Sequence, residues 1–104
     1  MGERAKSAEE YVEMVRQAMF EVQDLRECVL DDLEEKGRFP AFLDPLEQGV
    51  RELYRCMEAG SYLYSREDLP FMSLVRRHAQ EIPFAELLEQ INETHRRGMD
   101  LGDG

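Results

Sequence analysis

Residues 8 to 36 read AEEYVEMVRQAMFEVQDLRECVLDDLEEK, a stretch without proline or glycine. Apolar residues recur in it at alternating intervals of three and four positions, at Val15, Ala18, Val22, Leu25 and Val29. This spacing places them along one side of an α-helix. We call these five residues the seam. The stretch predicts a long amphipathic helix whose seam has to be covered by other residues.

Both ends of this helix carry recognisable signals. Ser7 and Glu10 form the Ser-x-x-Glu pattern of a capping box, and Gly37 is a natural stop. A helix from Ala8 to Lys36 would be about 43 Å long, at 1.5 Å per residue. That length is large for a chain of 104 residues.

A second helix is predicted after the glycine and proline at positions 37 and 40. Either Asp44 is its N-cap with Pro45 in the first position, or it begins earlier, near Ala41. It ends at Gly60, and its apolar positions repeat the spacing of the seam: Leu46, Val50, Leu53 and Met57. A turn near Pro40 would place Leu25 beside Met57 and Val29 beside Leu53. Cys28 and Cys56 would then lie about one turn apart or less.

Two shorter helices are predicted in the last third, where Leu69-Pro70-Phe71 recurs as Ile82-Pro83-Phe84. The third covers about 69–80 with Asp68 as its cap, and the fourth covers about 83–97 and ends at Gly98. We therefore expect an all-α, four-helix bundle-like domain: a long N-terminal antiparallel helical hairpin plus two shorter helices. Residues 1–104 form one domain, with 1–6 and 99–104 frayed.

Charge is distributed unevenly. The chain has a net charge of −10, and residues 21–35 contain seven acidic residues against Arg26 alone. Such a surface repels phosphate, so we expect no nucleic-acid partner. It is either a solvated helix face or a surface that binds a basic protein or imitates the charge of nucleic acid.

No run of 18 apolar residues is present, and the N-terminus lacks the apolar core of a secretory signal. We therefore expect a cytoplasmic protein with no membrane partner, in which Cys28 and Cys56 are thiols.

Motifs for catalysis are missing. The chain has no Gly-x-Ser-x-Gly, phosphate loop or dinucleotide fingerprint, and His78 and His95 belong to no metal-binding pattern. We expect no enzyme activity, catalytic residue, cofactor or metal. A metal or redox module that uses both cysteines and both histidines is a lesser alternative.

The apolar side of the first helix is wider than its seam, because six further apolar residues flank or extend it: Val12, Met14, Met19, Phe20, Leu30 and Leu33. This width predicts a homodimer formed through that helix. Aromatic residues outside a core often anchor interfaces. The predicted interface residues are Val15, Met19, Val22, Tyr62 and Tyr64. The expected function is protein–protein interaction, in a regulatory, adaptor or assembly role.

Overall fold

A computed structural model describes residues 4–36 and 40–98, without the side chains of residues 32–36. The described part contains four α-helices and no strand: α1 (Ala8–Lys36), α2 (Leu43–Ala59), α3 (Met72–Arg77) and α4 (Ala85–Arg97). The predicted all-α fold with a long first hairpin is confirmed.

Helix α1 has the predicted bounds, and its start shows how the capping box works. The Ser7 hydroxyl accepts a hydrogen bond from the Glu10 amide at 3.1 Å. The Glu10 carboxylate in turn accepts one from the Lys6 amide at 3.3 Å. These two bonds satisfy amides that have no partner inside the helix.

The hairpin is antiparallel, and its register, which the sequence leaves open, differs from the one that a turn near Pro40 would give. Arg26 of α1 forms ion pairs with Asp44 and Glu47 at the start of α2, and Arg16 donates a hydrogen bond to Tyr54 near its end. Helix α2 therefore begins beside the middle of α1, about three turns away from the expected pairing. The prediction assumed a tight turn at Pro40, whereas α1 continues past the start of α2.

This register separates the two cysteines. Cys28 is two residues after Arg26 and is exposed, whereas Cys56 is two residues after Tyr54 and half-buried. The close approach that a turn near Pro40 would give does not occur, because the cysteines lie at opposite ends of the hairpin.

The other helix starts also differ from prediction. Helix α2 starts at Leu43, midway between the two expected starts, and Asp44 binds Arg26 instead of capping. Helix α3 is only six residues long, and Asp68 does not cap it. The Asp68 carboxylate accepts hydrogen bonds from Arg76 and from Asn92.

One hydrophobic cluster includes residues from every helix. The seam residues Val15, Ala18 and Val22 are at most 1% exposed, and α1 packs against both α2 and α4. Tyr11, one turn before Val15, extends the seam and is 2% exposed. Phe71 and Phe84 are also buried. Three of the five seam residues are thus covered within a single chain, and the other two, Leu25 and Val29, are half-buried against the same core.

The N-terminal segment is partly ordered, against expectation. Ala5 is buried, and its amide donates a hydrogen bond to the Thr94 hydroxyl at 3.0 Å. The Arg4 guanidinium donates to the carbonyl oxygens of Arg97 and Gly98. Residues 4–6 are therefore not frayed, and the rest of the segments that were expected to fray, 1–3 and 99–104, lies outside the described residues.

Candidate functional site

A groove of about 580 Å³ runs between α2 and the connector, which we define as residues 61–71. One wall is a face of α2, with residues at helical spacing: Pro45, Gln48, Gly49, Glu52, Leu53 and Cys56. The opposite wall is built by both ends of the connector: Ser61, Tyr62, Leu63, Leu69, Pro70 and Phe71. Helix α4 contributes His95.

The lining is largely apolar, and its shape is elongated. The α2 wall extends from Pro45 to Cys56, a rise of roughly 16 Å along the helix. Leu63 is 81% exposed at the opposite wall. Glu52 is the charged lining residue, and no lysine or arginine belongs to the described lining. The groove therefore suits an elongated apolar group, and Glu52, which also pairs with Arg55, gives its wall one carboxylate.

A chain of hydrogen bonds runs from the groove into the core. The Nδ1 atom of His95 lies 2.6 Å from the Tyr62 hydroxyl, which lies 2.7 Å from the Tyr11 hydroxyl. The Tyr11 hydroxyl also lies 3.2 Å from the Ile91 carbonyl oxygen, to which it can donate. The chain links α4, the connector and α1.

While His95 is neutral, the hydrogen bonds of this chain can run in either of two directions of donation. In one, Nδ1 donates to Tyr62, Tyr62 donates to Tyr11 and Tyr11 donates to the Ile91 carbonyl oxygen. In the other, Tyr11 donates to Tyr62 and Tyr62 donates to an unprotonated Nδ1. A doubly protonated imidazole allows only the first direction, because both of its nitrogens are then donors.

Burial keeps all three groups of the chain neutral. Desolvation raises the pKa of Tyr62 to about 12 and raises the pKa of Tyr11 still further from its ordinary value. Burial also lowers the pKa of His95, although the charge of Asp68 opposes that change. His95 is 7% exposed, so its cationic form loses most of its hydration.

The connector is attached to α4 by polar contacts. The buried Asn92 accepts a hydrogen bond from the Leu69 amide at 2.8 Å and donates one to Asp68 at 3.0 Å. The Ser65 amide donates to the His95 carbonyl oxygen, and Arg96 donates to the Arg66 carbonyl oxygen. Hydrogen bonds from Arg76 and then Asn92 lower the pKa of Asp68 to about 2. These contacts hold the second wall of the groove in place.

The predicted interface residues do not form one surface. Tyr62 and Tyr64 lie together in the connector, with ring centroids 5.0 Å apart, and both rings contact Tyr11. Val15 and Val22 are buried on the side of α1 that packs against α2 and α4 of the same chain, and their assignment to an interface stays a prediction. Met19 is half-buried against the core.

Phe20 does not widen the seam either. It lies two positions before Val22, about 160° away around the helix, and is 56% exposed. Leu30 is 50% exposed, where α1 extends past the start of α2. Single exposed apolar residues are common on protein surfaces.

The cysteines and histidines do not assemble. Cys56 and His95 line the groove, Cys28 is exposed at the other end of the hairpin, and the His78 ring stacks on Phe42 at 4.6 Å. Within the ranges 4–36 and 40–98, no group of three or more His, Cys, Asp or Glu side chains is placed to hold a metal ion. The same ranges contain no helix long and apolar enough to cross a bilayer.

Replacing Gly49 by alanine should reshape the groove. The added Cβ would lie 2.9 Å from Cδ2 of Phe71, a buried groove residue, so the ring would have to move. Overpacking of this kind costs about 1–3 kcal/mol, against roughly 1 kcal/mol gained from better helix propensity. We expect a net loss of about 1 kcal/mol in urea unfolding.

A Gly60→Ala variant is the matched control for Gly49→Ala. Its Cβ meets nothing within 4 Å, but the backbone φ of +73° disfavours alanine. It should lose a similar amount of stability while the Phe71 ring signals in a methyl and aromatic NMR spectrum stay in place. Unchanged Phe71 signals in Gly49→Ala would contradict the expected contact.

The comparisons with known proteins identify no relative. No family model, no curated protein and no solved structure matches the chain.

Proposed function

We propose that the protein is a protein–protein interaction module that binds an apolar, positively charged helical segment of a partner in the groove between α2 and the connector. The observation that carries this proposal is the groove itself: about 580 Å³, largely apolar, and open along a face of α2. Grooves of this kind receive the apolar face of an amphipathic helix in known modes of peptide recognition.

Charge supports a basic partner. Glu52 lies in the groove wall, and the whole chain carries a net charge of −10. A negative protein attracts positive segments over a distance and accelerates their association. The acidic surface of α1, proposed from the sequence to select a basic partner, acts in the same direction here.

The length of the groove supports a protein segment over a small ligand. Its α2 wall is roughly 16 Å long, which equals about eleven residues of helix. The exposed Leu63 and the half-buried Cys56 can contact apolar side chains spaced three or four residues apart.

Binding of defined probes tests this proposal. The basic probe is a fluorescent model helix of about fifteen residues with leucine and lysine at helical spacing, and the acidic probe replaces lysine by glutamate. We expect saturable binding of the basic probe alone, measured by fluorescence anisotropy, and weaker binding at higher salt. Equal binding of both probes, or of neither, would overturn the proposal.

Surface variants locate the binding site. Leu63→Lys removes an exposed apolar group and adds a repelling charge at the groove. It should lower the affinity for the basic probe about tenfold or more. Phe20→Lys makes a similar change at an exposed residue on the far side of α1 and should lower the affinity for the basic probe far less. Equal losses in both variants would show that general charge, rather than the groove, binds the probe.

Self-association through α1 and a cytoplasmic location stay predictions from the sequence. The buried seam leaves Phe20 and Leu30 as the exposed apolar side chains on the described part of α1 that a second copy would contact. Light scattering over a concentration series, with Phe20→Lys as the comparison, measures that association directly.

A further inference from the structure

We propose that proton uptake by His95 lowers the affinity of the groove for a basic segment, so that the binding proposed above is reduced at acidic pH. This inference rests on the proposed function and assigns a regulatory role to a histidine that lines its site. His95 and His78 are the two histidines of the chain. They differ in position, because only His95 belongs to the described groove lining.

The position of His95 makes its charge matter to an occupant. The imidazole lines the groove yet is 7% exposed, so a charge on it is poorly screened by water. Its Nδ1 atom is held by Tyr62, 2.6 Å away, which fixes the ring beside the occupant. A cation in the groove and an imidazolium in its wall would repel each other.

The surroundings set the direction of the effect. Tyr62 of the connector bonds the imidazole and Tyr11 of α1 bonds Tyr62. The charge of Asp68, which pairs with Arg96 of α4, acts on the imidazole. Glu52 and Cys56 of α2 line the same groove. Asp68 favours the proton, but burial disfavours it more strongly, so the pKa of His95 is lowered. At neutral pH the groove wall is therefore uncharged at this position.

The switch does not require the groove to come apart. A protonated His95 can donate from Nδ1 to Tyr62, which donates to Tyr11, which donates to the Ile91 carbonyl oxygen. All three hydrogen bonds survive proton uptake in this order. Acid should thus change the charge of the groove while the fold persists.

Stability has a matching dependence on pH. The pKa of His95 is lower in the folded chain than its ordinary value near 6.5, so the unfolded chain binds the proton more tightly. The stability linked to His95 is fully present above about pH 6.5 and declines as pH falls towards the folded pKa.

The experiment measures affinity for the basic probe from pH 7.5 down through the midpoint at which the His95 ring signals titrate in NMR spectra, at constant salt, by fluorescence anisotropy. We expect the wild type to lose affinity several-fold, up to about tenfold, as pH falls. His95→Gln keeps a neutral group that can bond Tyr62, and its affinity should stay nearly constant. His78→Gln is the matched control and should keep the wild-type loss.

A second measurement uses the wild type alone and does not depend on the folding of a variant. Because the probe binds the neutral form better, adding it should lower the midpoint at which the His95 ring signals titrate in NMR spectra. An equal loss of affinity in His95→Gln, or an unmoved midpoint, would overturn the switch and leave the docking proposal standing. Failure of the basic probe to bind at pH 7.5 would overturn both.

Discussion

Val15→Asp should unfold the protein rather than release a folded monomer. Val15 is 0% exposed in the core between α1, α2 and α4, so the carboxylate would be buried without a partner. An unpaired buried charge costs several kcal/mol, and a chain of this size is stabilised by about 5–15 kcal/mol in total. Far-ultraviolet circular dichroism during a urea titration measures the loss.

Two further variants make this prediction decisive. Phe20→Asp introduces the same charge on the same helix at an exposed position, and should change stability by about 0.5 kcal/mol or less. Val15→Ala removes apolar contact without adding charge and should cost roughly 1–3 kcal/mol. A well-folded Val15→Asp chain of half the native mass would show that the seam joins two copies, as the sequence had suggested.

Asn92→Ala is expected to lower the free energy of unfolding by about 3 kcal/mol and to make the connector less firmly held against α4. Asn92 is 0% exposed and accepts a hydrogen bond from the Leu69 amide. Alanine leaves that buried donor without its partner, at about 1–3 kcal/mol, and also leaves a small cavity. It removes the bond to Asp68 as well.

The loss should be localised as well as large. Hydrogen exchange should accelerate most at the Leu69 amide, because its acceptor is gone. Glu93→Ala, one position further along α4, removes only surface ion pairs with Arg96 and Arg97 and should cost about 0.5 kcal/mol or less. A protected Leu69 amide in Asn92→Ala would contradict the role assigned to this side chain.

Helix α1 shows what the sequence can predict. Its bounds and its capping box depend on residues a few positions apart, and so does the burial of Val15, Ala18 and Val22. Features of this kind can be predicted from the local sequence pattern. Tyr11 follows the same rule, since it lies four positions before Val15, and a longer reading of the seam would have included it.

The groove depends on contacts between residues that are far apart in the sequence, which a local pattern does not predict. Its second wall is held by a bond between Leu69 and Asn92, 23 positions apart, and its hydrogen-bond chain joins Tyr11, Tyr62 and His95. The register of the hairpin likewise depends on where Arg26 meets Asp44 and Glu47. Sequence spacing alone predicts neither, because each results from three-dimensional packing.

One signal for the site was nevertheless present in α4. Leu88, Asn92 and His95 follow each other at intervals of four and three, the spacing of a buried helix face. Two polar residues at such positions need hydrogen-bond partners, because an unpaired buried polar group is costly. Their presence there predicts a polar network under the surface, and the structure contains one.

The contact between the first described residues and the end of α4 has a consequence for the order of folding. The bond between the Ala5 amide and Thr94 closes a loop of 89 positions, whereas the hairpin joins Arg26 to Glu47 across 21. Short loops close at lower entropic cost, so the hairpin can form while the N-terminal segment is still free. The N-terminal segment then docks late in folding. A substitution that weakens its contact with α4 should mainly accelerate unfolding and change the folding rate little.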